Sequence, residues 1–134
     1  MKTFAFASFL SLLTLNSAAP TQVESRTPGN VLICTGEDYT GTCETISAPF
    51  YTCQKLEAPY FKNVGSFRPD AGAYCRITYT ADSCTTHGDA FIWPDSGAPN
   101  LHHWDDVATG QNIDAGSMMT SFLCQECSGC TVKE

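Results

Sequence analysis

The chain has 134 residues, 8 of them cysteine, with 7 Lys and Arg against 14 Asp and Glu and a formal net charge of −7. Length alone predicts a single domain. The acidic balance argues against nucleic acids and anionic membrane surfaces as partners, because both attract positive charge.

The N-terminal residues have the layout of a secretory signal peptide. Lys2 is followed by the uncharged apolar run Thr3–Leu15 and by the small residues Ser17–Ala19. The run is too short to span a bilayer comfortably. We place cleavage after Ala18, giving a signal peptide over residues 1–18, because cleavage one residue later would leave a proline beside the cut. We therefore expect a secreted, extracellular protein, and loss of Lys2 leaves 6 basic against 14 acidic residues, a charge of −8.

The mature chain begins with a polar segment and continues with short β-prone runs. Residues 19–30, rich in Pro, Thr and Ser, are predicted to form a flexible leader. From Val31 onward, VLIC, NVGSF, AYCRITYT and MMTSFLC are bounded by turn-forming residues. We predict an all-β domain over residues 31–124 and a cysteine-containing tail over residues 125–134.

Helical signals are weak throughout. The stretch LHHWDDVATG is predicted to form at most a turn or two of helix, which Gly110 would end. A weak internal repeat is also present, since GSF at Gly65–Phe67 recurs as TSF at Thr120–Phe122. The second half is longer because a loop over residues 88–117 intervenes. Duplication in an all-β chain predicts two equivalent sheet units packed together.

All eight cysteines follow the predicted cleavage site, and their number is even: Cys34, Cys43, Cys53, Cys75, Cys84, Cys124, Cys127 and Cys130. The last three form overlapping CxxC spacings, which also occur in zinc and redox sites. However, no second CxxC or His pair has ligand spacing, and no βαβ pattern is visible. In an oxidising compartment, structural disulfides are the favoured interpretation.

Parity constrains the pairing. Five cysteines lie in the body and three at the C-terminal end, so an odd number of bridges, most simply one, must join the two groups. Two further bridges would then lie in the body and one at the C-terminal end. We predict that two bridges close short local loops and that a third closes the longest loop. Closing the longest loop gives the largest stabilisation in the chain-entropy model. The predicted pairs are Cys43–Cys53, Cys75–Cys84, Cys34–Cys124 and Cys127–Cys130.

The pattern of turns and aromatics resembles a β/γ-crystallin domain, a fold built from two Greek-key motifs. The family pattern is an aromatic, four residues, a second aromatic, any residue and Gly, followed later by a Ser. Here Tyr39 and Gly41 match the second aromatic and the Gly, and Ser66 matches the Ser. The resemblance implies that Gly41 adopts the positive φ of a folded hairpin, that Tyr39 covers the hairpin and that the Ser66 hydroxyl bonds the turn backbone.

Cysteines replace part of this pattern. Cys34 stands at the first aromatic position; in the second motif Tyr79 and Cys84 stand at the two aromatic positions, the Gly is displaced to Gly88, and Ser121 is the Ser. The stretch GAYCRITYTADSC is also similar to small secreted cysteine-rich fungal proteins with this fold, including apoplastic effectors of plant-associated fungi.

Many β/γ-crystallin domains bind calcium through the pattern [ND][ND]xx[ST]S. The corresponding segments, FKNVGS at residues 61–66 and GSMMTS at residues 116–121, lack the paired Asp or Asn oxygens that a hard cation needs. We predict no tight calcium site, no other metal and no cofactor.

The most site-like stretch is LHHWDD. With its surroundings it offers several imidazoles and carboxylates: His87, Asp89, His102, His103, Asp105 and Asp106. Neighbouring residues on a strand point to opposite faces, so few of these groups would converge. A solvated loop with Trp104 against the core is favoured over a metal or acid–base site. No G-x-S-x-G motif occurs and oxidised cysteines are not nucleophiles, so we predict no enzymatic activity.

The stretch AFIWPDSGAPNLHHW places Phe91, Trp93 and Trp104 in a long loop punctuated by Pro and Gly. Long loops on a stapled β scaffold are common binding surfaces, and aromatics anchor interfaces. These three residues either form a binding loop or cover the core of the second half, and the sequence leaves both possibilities open.

The resemblance implies a monomeric, non-enzymatic fungal effector or host-interacting protein with a host or microbial extracellular target. The alternatives are an antimicrobial or killer-toxin-like protein on the same fold, or a protease inhibitor whose 88–117 loop enters a protease cleft. A charge of −8 counts against membrane-directed antimicrobial action.

Overall fold

The computed structural model describes residues 29–130, so the predicted signal peptide and residues 19–28 of the predicted leader lie outside the described residues. The described part is all-β, as predicted, with a single short 3-10 turn at Glu37–Tyr39. Among these residues, no helix has the length and apolar character needed to cross a membrane. The strands are β1 Asn30–Cys34, β2 Cys43–Ser47, β3 Gln54–Lys55, β4 Ser66–Pro69, β5 Ala73–Thr78, β6 Ala90–Ile92, β7 Trp104–Asp106, β8 Gln111–Ile113 and β9 Ser121–Glu126.

The strands form two main sheets and a small hairpin. One sheet has the order β2-β1-β4, the other has the order β3-β9-β5-β6, and β7 pairs with β8. Strands β1–β4 come from the first half of the chain and β5–β9 from the second. In the first sheet β1 lies between β2 and β4, and in the second sheet β5 lies between β6 and β9. In each half the first strand therefore lies between the second and the last strands of that half. Strand β3 crosses from the first half to pair with β9. The last strands begin with Ser66 and Ser121, so the repeated Ser-Phe pairs occupy equivalent places.

The core fills the space between the main sheets with alternate residues of their strands. The side chains of Val31 and Ile33 in β1 and of Ile77 in β5 are fully buried. Phe67 of β4 and Phe122 of β9 meet edge to face, with ring centroids 5.1 Å apart and an interplanar angle of 72°. The two repeated Ser-Phe pairs therefore place their aromatic rings in contact at the centre of the molecule.

The helical expectation for LHHWDDVATG is wrong. Trp104–Asp106 is a strand that pairs with β8, and the residues after it form a tight turn. The Asp106 carboxylate accepts hydrogen bonds from the backbone N–H and the hydroxyl of Thr109, while the Gly110 N–H donates to the Asp106 carbonyl. Such side-chain bonds to nearby backbone stabilise turns in competition with helices.

Four disulfides join all eight cysteines: Cys34–Cys43, Cys53–Cys84, Cys75–Cys124 and Cys127–Cys130. The parity argument is confirmed, because one bridge joins the body to the C-terminal group. The pair Cys127–Cys130 is also confirmed. The predicted pairs Cys43–Cys53, Cys75–Cys84 and Cys34–Cys124 are wrong.

Strand register explains these corrections. Cys34 lies opposite Cys43 in the β1–β2 ladder, and Cys75 lies opposite Cys124 in the β5–β9 ladder. The Cα–Cα distances are 4.1 Å and 4.0 Å. Cross-strand neighbours are already within bridging distance, so the sheets select the partners and loop length does not. The bridge Cys53–Cys84 joins the segment before β3 to the turn after β5 and so links the two halves.

Candidate binding face

The outer surface of the four-stranded sheet carries a cluster of aromatic and polar side chains. Strand β5 buries Ala73, Cys75 and Ile77, so the alternate residues Tyr74 and Arg76 point to the opposite face. In the ladders Arg76 lies opposite Phe91, and Tyr74 lies opposite Gln125. Trp93 follows the last residue of β6 directly. We define the aromatic face as Tyr74, Arg76, Phe91, Trp93 and Gln125.

The rings of this face pack against one another, and Trp93 stacks on Tyr74. Tyr74 and Trp93 have centroids 5.0 Å apart and an interplanar angle of 24°, and Tyr74 and Phe91 have centroids 6.2 Å apart. The Arg76 guanidinium carbon lies 5.5 Å from the Phe91 ring centroid, within the range of a cation–π contact. Phe91 and Trp93 nonetheless remain 47% and 45% exposed. The cluster is therefore ordered internally and still open to solvent.

Gln125 ties the polar groups of the face together. Its Oε1 accepts one hydrogen bond from the Tyr74 hydroxyl and one from Arg76 Nη2, both at 2.6 Å. Arg76 Nη1 donates to the Thr86 carbonyl. The disulfide Cys75–Cys124 lies on the inner side of the same two strands and joins the neighbours of Tyr74, Arg76 and Gln125 covalently. The polar side chains of the face are thus joined by hydrogen bonds, and their strands are joined by a disulfide.

The three residues of the predicted binding loop separate into two groups. Phe91 is in strand β6 and forms the face with Trp93, whereas Trp104 is half-buried in β7 and packs against the core. Trp104 therefore covers the core, while Phe91 and Trp93 are exposed, and a binding role for these two residues stays a prediction. Sequence reasoning missed Tyr74, Arg76 and Gln125, although the alternation in AYCRIT contained a signal for the first two.

The predicted hairpin residues form a turn closed by hydrogen bonds. Gly41 has φ +79°, and a Cβ at this position would lie 2.6 Å from the Thr35 hydroxyl. Tyr39 packs under Arg68, with the guanidinium carbon 4.6 Å from its ring centroid. Burial raises the pKa of Tyr39, and the Arg68 charge partly opposes this effect. Ser66 is fully buried and bonds the turn backbone.

In the second half the hydroxyl contacts are shifted by one residue. Ser121 is buried opposite Thr78, but Thr120 Oγ1 makes the bond to the turn, donating at 2.5 Å to the Ala81 carbonyl. Tyr79 lies one residue beyond the position that pairs with Ser121, and its hydroxyl donates to Asp106 at 2.6 Å. Burial raises the pKa of Tyr79, as do the hydrogen bond to Asp106 and its charge.

The imidazoles and carboxylates of the second half do not converge. The Asp89 carboxylate accepts bonds from the backbone N–H groups of Tyr79 and Thr80. His102 contacts Asp114 at 2.8 Å, and Asp105 accepts a bond from the Asn112 amide. Within residues 29–130, no group of three His, Cys, Asp or Glu side chains is placed to hold a metal ion.

A groove of about 250 Å³ opens near β2 and β3. It lies at the β3 edge of the four-stranded sheet, and β6 forms the opposite edge. Glu44, Lys55 and Glu57 line it together with the buried residues Leu56 and Tyr60. Burial raises the pKa of Tyr60, and the nearby charge of Glu44 adds to the effect. A tyrosine with a raised pKa stays protonated near neutral pH, so it offers a hydrogen-bond donor and no base.

Comparison with known proteins adds no assignment for this face: no family model, no curated protein and no solved structure matches the chain.

Proposed function

We propose that this chain is a secreted, non-enzymatic binding protein with two β/γ-crystallin-like Greek-key halves. Its role would be that of a fungal effector or host-interacting protein, acting on a host or microbial component outside the cell. The aromatic face is the binding surface. The observation that carries the proposal is the stack of Trp93 on Tyr74 beside Phe91, ordered yet exposed.

The disulfides support an extracellular site of action. All eight cysteines are paired, and no described cysteine is free. Such dense pairing is typical of proteins that mature in an oxidising compartment and is rare in the cytosol.

The strand order supports the β/γ-crystallin resemblance. In each half the last strand lies beside the first, as a Greek key requires. The exchange of β3 into the second sheet couples the halves. The turn at Tyr39 and Gly41, closed by Ser66, matches the folded hairpin that the resemblance implies.

A binding role fits the side chains better than catalysis does. Asp89, Asp106 and His102 are all engaged in hydrogen bonds that fasten turns or neighbouring segments. In contrast, the large exposed rings of Phe91 and Trp93 make no contribution to the buried core. Aromatic and Arg side chains are the groups most enriched at energetically important contacts.

The alternative of a protease inhibitor gains no support from the 88–117 segment. Its most exposed apolar residue, Val107, is 92% exposed at the tip of the β7–β8 hairpin. The tip is a tight turn closed by the bond from Gly110 N–H to the Asp106 carbonyl. A compact turn does not present the extended backbone that adds to a protein edge in strand-type recognition.

Capture from plant extracellular fluid and washed cell-wall material tests the proposal. The mature chain is immobilised as wild type, as Trp93→Ala and as Phe61→Ala. Phe61 is a matched control, because it is 48% exposed and lies outside the aromatic face. We expect a component retained by the wild type and by Phe61→Ala and lost with Trp93→Ala. Equal retention by all three proteins, or retention of nothing, would contradict a binding role for this face.

A further inference from the structure

The size of the aromatic face limits the partners that it can bind. A fully buried aromatic side chain covers about 150–250 Å². Phe91 and Trp93 are 47% and 45% exposed, so together they offer roughly 200 Å². A stable protein–protein interface buries about 800 Å² on each partner. The exposed area of these two rings matches a ligand that is a few rings long. It is too small to anchor a stable dimer by itself.

The charges on and around the aromatic face narrow the class of ligand further. None of the five residues of the face is acidic, and its single charge, on Arg76, lies against the Phe91 ring. Apart from a His102–Asp114 contact, the described residues form no ion pair, so Arg76 has no carboxylate partner there. The chain as a whole is strongly acidic. Polyanions are repelled by that charge, and cationic partners would be drawn to the acidic surface elsewhere. The aromatic face is therefore best suited to a neutral ligand.

The edge of the face offers hydrogen-bonding groups that no described residue uses. Gln125 engages its Oε1 twice, while its amide nitrogen has no hydrogen-bond partner among residues 29–130. The indole N–H of Trp93 likewise has no acceptor in the described chain. The Tyr74 oxygen donates to Gln125 and retains capacity as an acceptor. The ligand must therefore combine flat apolar surfaces with hydrogen-bonding groups at its rim.

Sugars of glucose configuration have this combination when they are joined by β linkages. Their hydroxyl groups project around the ring edge, and both ring faces present C–H groups that can pack on an aromatic ring. Tyr74 contacts both Trp93 and Phe91, with ring centroids 5.0 Å and 6.2 Å apart, so the two exposed rings belong to one continuous cluster that several linked sugar units could cover. We infer that the aromatic face binds a neutral β-linked polysaccharide of glucose-type units. This inference rests on the proposed function and names its ligand.

Titration calorimetry with defined oligosaccharides tests the inference. The probes are cellohexaose, laminarihexaose and chitohexaose, which distinguish plant cellulose, β-1,3-glucan and chitin as sources of the shared chemistry. Maltohexaose, with α linkages, and polygalacturonate, with negative charge, are the control ligands. We expect at least one β-linked probe to bind and neither control to do so. Trp93→Ala and Phe91→Ala should each weaken binding roughly tenfold, as one stacked ring is lost.

The control variant Phe61→Ala should bind within about twofold of the wild type, because surface changes away from the site have small effects. Near-UV circular dichroism checks that each variant keeps the wild-type fold. If no β-linked probe binds at millimolar concentration while the capture experiment still yields a Trp93-dependent protein, the polysaccharide inference fails and the proposed function stands. If a probe binds with equal affinity to wild type and Trp93→Ala, the sugar site lies outside the aromatic face and the polysaccharide inference fails. The proposed function then fails as well only if the captured component is also retained equally by wild type and Trp93→Ala.

Discussion

The Ser66 hydroxyl accepts a hydrogen bond at 3.0 Å from the backbone N–H of Tyr39, 27 residues earlier, and donates one at 2.7 Å to the Gly36 carbonyl. Tyr39 has φ +60°, a conformation that costs energy for a non-glycine residue. Ser66 is fully buried, so its removal leaves the turn without replacement partners. We expect Ser66→Ala to lower the free energy of unfolding by roughly 1–3 kcal/mol, measured by urea denaturation.

The second half supplies the control for that prediction. Ser121 occupies the equivalent place, but its hydroxyl has only a long 3.4 Å contact with Thr120, whose own hydroxyl bonds the Ala81 carbonyl. Ser121→Ala should therefore cost clearly less than Ser66→Ala, while Thr120→Val should cost a similar amount. Equal losses for Ser66→Ala and Ser121→Ala would mean that the turn bonds are not what Ser66 contributes.

The edge-to-face pair Phe67–Phe122 holds the two sheets together at the core. Both rings are fully buried, so Phe67→Ala and Phe122→Ala should each cost about 3–5 kcal/mol. Because the rings touch, a double-mutant cycle should give a coupling of about 0.5–1.5 kcal/mol. The exposed Phe61→Ala should stay within about 0.5 kcal/mol of wild type. Strict additivity of the two core substitutions would indicate that the sheets pack independently.

The disulfides should stabilise the fold in the order of the loops they close. The sequence separations are 49 for Cys75–Cys124, 31 for Cys53–Cys84, 9 for Cys34–Cys43 and 3 for Cys127–Cys130. The chain-entropy relation gives losses of about 4, 3.7, 2.6 and 1.6 kcal/mol for the paired Cys→Ala variants. Urea denaturation of the four double variants checks the order. A larger loss from the Cys127–Cys130 pair than from Cys75–Cys124 would contradict it.

The sequence predicted those strands in which burial alternates along the strand and the residues are β-prone. In AYCRIT, alternate residues are buried because one face meets the core, and the β-prone composition agrees with that alternation. In NVGSF and MMTSFLC the strands begin only at Ser66 and Ser121. The residues before them are held by contacts with distant parts of the chain, for example by the bond from Val64 N–H to the Gly116 carbonyl, which no local pattern reveals.

Disulfide pairs and side-chain contacts between neighbouring strands could not be predicted from local sequence patterns. Cys34 meets Cys43, and Cys75 meets Cys124, because of ladder register, which loop-length arguments do not contain. The contact of Trp93 with Tyr74 has the same origin, since β6 lies beside β5. The sequence identified Phe91 and Trp93 as candidate binding residues, but only the sheet order brings Tyr74, Arg76 and Gln125 to them.

Asp106 should make stability depend on acid pH. It is 6% exposed and accepts bonds from the Thr109 hydroxyl and the Tyr79 hydroxyl, both at 2.6 Å. The bond from Thr109, followed by that from Tyr79, lowers the pKa of Asp106, although burial opposes the effect. A folded-state pKa below the unfolded value gives stability that is present above the unfolded pKa and is lost as pH falls through the folded one.

Asp106→Asn should therefore lower the Tm near neutral pH, and its difference from wild type should shrink below the ordinary aspartate pKa of about 3.9. Calorimetric Tm values from pH 7 to strongly acidic conditions measure this difference, and the contribution of Asp114 cancels because both proteins retain it. In Tyr79→Phe, Asp106 loses one donor, so its folded-state pKa should rise toward the unfolded value. The acid-induced loss that Asp106 causes should then be smaller than in wild type and complete at a higher pH, although it begins near the same unfolded pKa. Because the raised pKa of Tyr79 keeps its hydroxyl protonated throughout, Tyr79 itself does not titrate in this range. A pH-independent gap between wild type and Asp106→Asn would mean that the carboxylate charge contributes nothing and that only the shape of the turn matters.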